Sequence, residues 1–217
     1  MMNKYQVLEE AAALAKNELE KDASGHDWWH VFRVAKLAEH LAHKENADVF
    51  ICQLAAYLHD VADEKLNESE EFGLKKVKTW LEQKEIEAEV INAVMEIIST
   101  MSFKGGNQAP MKTIEGRVVQ DADRLDAIGA IGIARTFAYS GAKGQLMYDP
   151  SIPVRDSMTK EEYRNGPSTA INHFYEKLFK LKDLMNTESA KEIAAYRHRY
   201  MEQFVREFMT EWEALQN

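Results

Sequence analysis

The sequence predicts an all-α fold, and three observations carry that prediction. Breakers are scarce: 217 residues hold 10 Gly and only 4 Pro, and every Pro lies in the second half of the chain. Ala, Leu, Glu and Lys, all strong helix formers, are abundant. Apolar residues recur at steps of three and four, and no alternating run is long enough to make a strand.

The same pattern places helices near 4–21, 27–44, 48–62, 69–83, 86–99, 114–139, 160–185 and 188–214. Ser24-Gly25 punctuates the end of the first. The second carries the stripe Val31, Val34, Ala35, Ala38, Leu41 and Ala42. Asn46 to Asp48 separates it from the third, with Asp48 as N-cap. The third helix presents Val49, Cys52, Ala55 and Ala56, flanked by Leu54 and Leu58. Asn67 followed by Glu70 resembles a capping box at the head of the fourth. Val77, Leu81, Ile91, Val94, Met95 and Ile98 continue the periodicity through the fifth, and Phe103 to Asn107 reads as a loop. Gly129 and Gly132, one turn apart in the sixth, imply close approach of a neighbouring helix, since Gly otherwise costs a helix about 1 kcal/mol. An irregular stretch of about 30 residues begins at Ser140, and loops of that length are often lids or binding loops. In the last helix Phe204, Phe208 and Trp212 form one stripe, which either covers the domain or pairs with a second copy as a homodimer. No repeat or linker divides the chain, so one domain over 1–217 is expected.

Composition excludes several function classes. With 27 basic and 36 acidic side chains the net charge is −9, which argues against binding polymeric nucleic acid. No stretch of 18 uncharged apolar residues exists, so no membrane span is expected. Cys52 is the one cysteine, which rules out a disulfide framework and suggests a reducing setting. Met1 to Asp22 lacks the apolar run of a secretory leader, so a cytoplasmic protein is expected.

Three segments set metal-capable side chains inside apolar helical patterns. They are Gly25 to Val34, Ala55 to Glu64, and Val119 to Asp126. In the second, His59 and Asp60 follow ten uncharged residues, Val49 to Leu58. An ionised carboxylate at the buried end of such a helix is costly unless it is paired or ligates a cation. Neighbouring helical side chains diverge by about 100°, so a cation touching both must sit at a seam facing other helices. Partners exist in His30 and in the carboxylates Asp121, Asp123 and Asp126. Asp121 and Asp123 are about 200° apart on a helix wheel, so at most one faces the same cation. Asp126 shares the side of Asp123 and suits an outer hydrogen-bonding role.

This ordered set resembles the HD-domain phosphohydrolases, whose signature is a His, a His-Asp doublet ending another helix, and a distant Asp. The match reads His30 in HVFRVAKLA, His59-Asp60 in AAYLHDVADE and Asp123 in DADRLDAIGA, over about the first 140 residues. INHFYEKLFKL, further on, looks like a bacterial subgroup of small stand-alone HD hydrolases. The resemblance implies an HD-domain helical bundle with additional C-terminal helices. It implies a metal-site core at about 24–140 and a C-terminal helical part at about 160–217. It also implies one divalent ion held by His30, His59, Asp60 and Asp123, with Asp121 competing for the fourth place. No His lies between Asp60 and Asp121, which resembles the mononuclear rather than the binuclear kind. Imidazole ligands favour Mn²⁺ or a similar ion, with Fe, Co, Ni, Zn or Mg as alternatives.

A cation held this way can polarise a phosphoryl oxygen and lower the pKa of a bound water. Asp63 and Glu64 lie four residues after His59 and Asp60 and are the acid/base candidates, Asp63 also matching the family's position for that role. His26, Arg33 and Lys104 are candidates for binding the substrate's phosphates, Lys104 because Gly105-Gly106 lets backbone approach an anion. The expected reaction is hydrolysis of a nucleotide or other small phosphate. A (deoxy)nucleoside triphosphate releasing pyrophosphate comes first, and monophosphatase or phosphodiesterase action is the alternative. A non-catalytic helical module that keeps a metal for stability is a second class. A zincin-like protease using His26 and His30 at i, i+4 is a third, and it leaves His59, Asp60 and Asp123 unused.

Overall fold

The computed structural model describes residues 3–20, 27–63, 66–101, 110–155 and 166–214. The all-α expectation holds, and no strand occurs among the described residues. They form two compact units, residues 1–123 and 124–217.

In the first unit, α1 (Lys4–Leu19) and α2 (Trp28–Glu45) precede α3 (Val49–Leu58), the central helix. Eight of the ten residues of α3 are buried, as an apolar all-round pattern requires. It packs against α1, α2 and α5 (Ala88–Thr100). The Asp48 cap is as expected, its Oδ1 accepting from the backbone N–H of Phe50 at 2.8 Å and of Ile51 at 3.1 Å. α2 starts on a similar cap, Asp27 Oδ1 accepting from the N–H of His30 at 2.9 Å. It ends at Asn46 in the left-handed conformation, φ 55°.

The helix expected over 48–62 divides. α3 stops at Leu58, and Asp60–Ala62 is a single 3-10 turn. α4 (Glu70–Gln83) packs on that turn. Its N-cap is Ser69, not Asn67. The Asn67 amide instead donates to the carbonyls of Val61 at 2.9 Å and Asp63 at 2.8 Å, clamping the turn from below. α6 (Ile114–Asp126) follows, and the first unit ends within it at Asp123.

The helix expected over 114–139 is two helices, because α7 (Gly129–Ala142) restarts after a break at Ala127-Ile128. Gly129 there has φ +79°, a region that disfavours side chains. Gly132 serves the break itself, since a Cβ there would meet the carbonyl of Ala127, whereas Gly129 admits the close approach of Arg197 from the last helix. Of the helix expected over 160–185, residues 160–165 lie outside the described residues, and in the rest stand α8 (Ala170–Glu176) and a 3-10 stretch, Leu178–Leu184, before the long α9 (Glu188–Ala214). The connection after α7 is pinned where it is described. Leu146 and Met147 carbonyls accept from the free N–H groups of Ala170 and Ile171 at the head of α8. Arg155 also forks onto buried Glu176, Nε to Oε1 and Nη2 to Oε2, both at 2.8 Å. The Phe204–Phe208–Trp212 stripe makes ring contacts inside this unit, with Phe137 and Phe174 at Phe204 and Tyr148 at Trp212, and all three rings stay half-buried.

Candidate metal centre

His30 comes from α2 and the consecutive His59 and Asp60 from the end of α3 and the turn after it, and the three meet in the first unit. Their ligand-type atoms all lie within 4.8 Å of one another. Nε2 of His30 stands 3.5 Å from Asp60 Oδ2 and 3.4 Å from Asp123 Oδ1. Nε2 of His59 stands 3.2 Å from Asp60 Oδ1. The two imidazoles meet edge to face, ring centres 5.5 Å apart.

Local structure explains each placement. His30 sits on the third position of α2, where the Asp27 cap holds its backbone and its side chain is buried beneath the helix. His59 is the C-cap of α3, where the last carbonyls lack helical partners. Its Nδ1 lies 2.7 Å from the carbonyl oxygen of Ala56. A carbonyl only accepts, so Nδ1 carries a proton in that bond and Nε2 is the nitrogen left facing Asp60, the ring orientation usual for metal-ligating His. Asp60 opens the 3-10 turn and is buried. Trp28, the first residue of α2, is half-buried and stacks on Tyr57 with ring centres 6.3 Å apart.

The centre carries an unusual deficit. His59 Nε2 and Asp60 Oδ2 are both buried and neither has a hydrogen-bond partner. A buried carboxylate without adequate partners is strongly unfavourable. Two imidazole nitrogens and carboxylate oxygens facing a common point are the donor set of a divalent transition ion, and such an ion would satisfy both orphaned atoms at once. The residues present therefore fit a metal.

The other expected residues divide into three groups. Asp123 reaches the centre through His30, with a side chain 36% exposed. Asp121, two residues earlier on α6, is fully buried. Asp63 closes the 3-10 turn with extended backbone, its N–H bonded to the Asp60 carbonyl at 3.1 Å. The four-residue α-helical return that singled out Asp63 therefore does not exist, but in a 3-10 turn residues three apart eclipse, which relates Asp63 to Asp60 instead. Arg33 lies one turn beyond His30 on α2 and is half-buried. His26, Glu64 and Lys104 lie outside the described residues. Arg124, beside Asp123, spends its guanidinium on the carbonyl of Leu184. Asn67 is a supporting residue that the sequence disguised as a helix cap.

Comparison with known proteins agrees in family. The HD domain model matches residues 28–128. YpgQ of Bacillus subtilis (strain 168) is 40% identical over 208 residues, 95% of this chain and 94% of its own length. A crystal structure of an HD-superfamily hydrolase from Bacillus thuringiensis superposes with TM-score 0.79 at 55% identity, over 98% of this chain and all of the other. The crystal structure of a protein from Lactobacillus plantarum gives TM-score 0.85 at 46% identity, over 99% and 100%. B. subtilis YpgQ in complex with ADP gives 0.76 at 39% identity, over 94% and 97%.

Proposed function

This chain belongs to the HD superfamily of hydrolases, and on that footing we propose that it is a divalent-metal-dependent phosphohydrolase acting on nucleotides. One observation carries the metal reading: buried His59 Nε2 and Asp60 Oδ2, both without a hydrogen-bond partner, face His30 in a single cluster. The ADP held by the related YpgQ supports a nucleotide as the ligand class. Within that class, (deoxy)nucleoside triphosphates releasing pyrophosphate are the favoured substrates.

His30, His59, Asp60 and Asp123 would hold the ion. When bound, it supplies Lewis-acid polarisation of a phosphoryl oxygen and a lowered pKa for water, for which Mn²⁺ is the favoured choice. The Ala56 carbonyl accepts from His59 Nδ1 and so orients the ring with Nε2 toward the place the ion would take. Asp63, hinged to the Asp60 turn, would carry the proton between water and leaving group. Arg33, with His26 and Lys104, would bind phosphate oxygens and offset charge developing in the transition state.

A panel of nucleotides with each divalent ion tests the reading, products followed by phosphorus NMR. Turnover with Mn²⁺ that His59→Ala abolishes is expected. Full turnover in that variant, or none on any phosphate with any ion, overturns it. Pyrophosphate among the products separates triphosphate cleavage from removal of terminal phosphate.

A further inference from the structure

The end of α6 is unusually heavily held. Arg135 Nη1 stands 2.7 Å from Asp126 Oδ2 and 3.4 Å from the Asp126 carbonyl oxygen. Arg197 Nη1 donates to the carbonyl of Leu125 at 2.5 Å. The final carbonyls of a helix lack partners and form the negative end of its dipole, so guanidinium groups satisfy both needs there. Asp126 is 1% exposed, so its ion pair is shielded from water and from salt. Gly129 makes room for the second clamp: a Cβ there would stand 2.9 Å from Arg197 Cγ.

We propose that Arg135 and Arg197 are positioning residues that place Asp123 for the divalent ion. The inference rests on the reading of His30, His59, Asp60 and Asp123 as ligands. Asp123 and Asp126 lie three residues apart on one helix and so share a side. The last turn cannot rotate or slip without moving both. Asp123 also lacks the enclosure of its companions, its side chain being 36% exposed against 1% for His30 and 9% for Asp60. The turn that carries it is the last of the helix, and helix ends fray unless something holds them. The arginines hold this one at Leu125 and Asp126, within three residues of the carboxylate.

Calorimetric titration of the metal-free protein with Mn²⁺ tests this, with circular dichroism and thermal melting to establish that each variant is folded. Arg135→Gln is expected to weaken Mn²⁺ binding by about 10–100-fold, the range for outer partners of metal ligands. Arg135→Lys should recover part of that loss. In an Asp123→Ala background Arg135→Gln should cost nothing further, because the ligand it places is gone. Arg197→Gln, which leaves the Asp126 ion pair intact, should weaken binding in the same direction and serves if Arg135→Gln does not fold. Wild-type affinity in folded Arg135→Gln and Arg197→Gln, or losses that add in full to Asp123→Ala, would overturn the inference alone. Equal affinity in Asp123→Ala and wild type, or no Mn²⁺ binding by wild type, would remove the ligand reading and the inference with it.

Discussion

Gly73 of α4 backs so closely onto Ala62 that a Cβ built on it would overlap the carbonyl oxygen and stand 2.8 Å from the carbonyl carbon. Ala62 ends the 3-10 turn that Asp60 opens, so the helix presses on the backbone of the candidate metal centre. Gly73→Ala must shift that backbone. Overpacking of this kind costs about 1–3 kcal/mol, and thermal melting should show a lower Tm. Mn²⁺ affinity should fall with it, since the turn carrying Asp60 is what moves. An unchanged melting curve would contradict the contact.

Asn67 holds the same turn by two hydrogen bonds, to Val61 and Asp63. Asn67→Ala leaves two partly buried carbonyls short of a donor, at about 1 kcal/mol for each bond lost. Urea unfolding measures that loss. Asn67→Asp should be worse, because it replaces the donor with a third acceptor. Steady-state kinetics should show the effect in kcat, through Asp63, more than in KM.

An ion bound by the native state alone stabilises it by RT ln(1 + [L]/Kd), about 2.7 kcal/mol at a hundredfold excess over Kd. Adding Mn²⁺ to chelator-treated protein should therefore raise Tm, and removing it with chelator should reverse the rise. His59→Ala and Asp60→Asn should show no such shift. A rise of equal size in both variants would place the ion elsewhere.

Burial, reinforced by the carboxylates of Glu115 and Asp48, pushes the Cys52 thiol up to about 12. The thiolate is the reactive form, so a thiol reagent at pH 8 should leave the native protein unlabelled. Labelling should appear only at the rate of unfolding. Prompt stoichiometric reaction without denaturant is the contrary result.

In the second unit burial, with the positive charge of Lys177, pushes the His173 imidazole from 6.5 down to about 4. Between those values the unfolded chain binds a proton that the folded one refuses, so stability rises with pH there. The contribution is complete above pH 6.5 and fades as pH falls toward 4, a change of about 3 kcal/mol at 1.36 kcal/mol per unit. Glu176 adds to the same trend at lower pH. Burial alone would raise its pKa, but hydrogen bonds from Arg155 and Ser168 outweigh this and lower it. Urea unfolding between pH 4 and 7 should slope upward, and His173→Gln should flatten the slope.

Much of the first unit was legible because its cues are local. The stripe from Val31 to Ala42 is buried along α2, and the Asp48 cap forms as its position before the apolar run suggests. Other cues misled for a physical reason. Asn67 and Glu70 have capping-box spacing, but the Asn67 amide finds two carbonyls of a preceding turn that periodicity could not foresee. The sixth helix looked continuous because neither Gly129 nor Gly132 announces a positive φ by itself. The break shows only where Ala127 and Arg197 crowd those positions.

The sequence alone determined the helical character, the strong apolar burial of α3 and the identity of the side chains able to grip a cation, because residue type and period carry that information. Tertiary structure decided which of them meet. Only folding brings His30 to within 3.4 Å of Asp123, presses Gly73 onto Ala62 and closes arginines over the last turn of α6. Distances between residues remote in the chain are set by packing, and no local pattern encodes them.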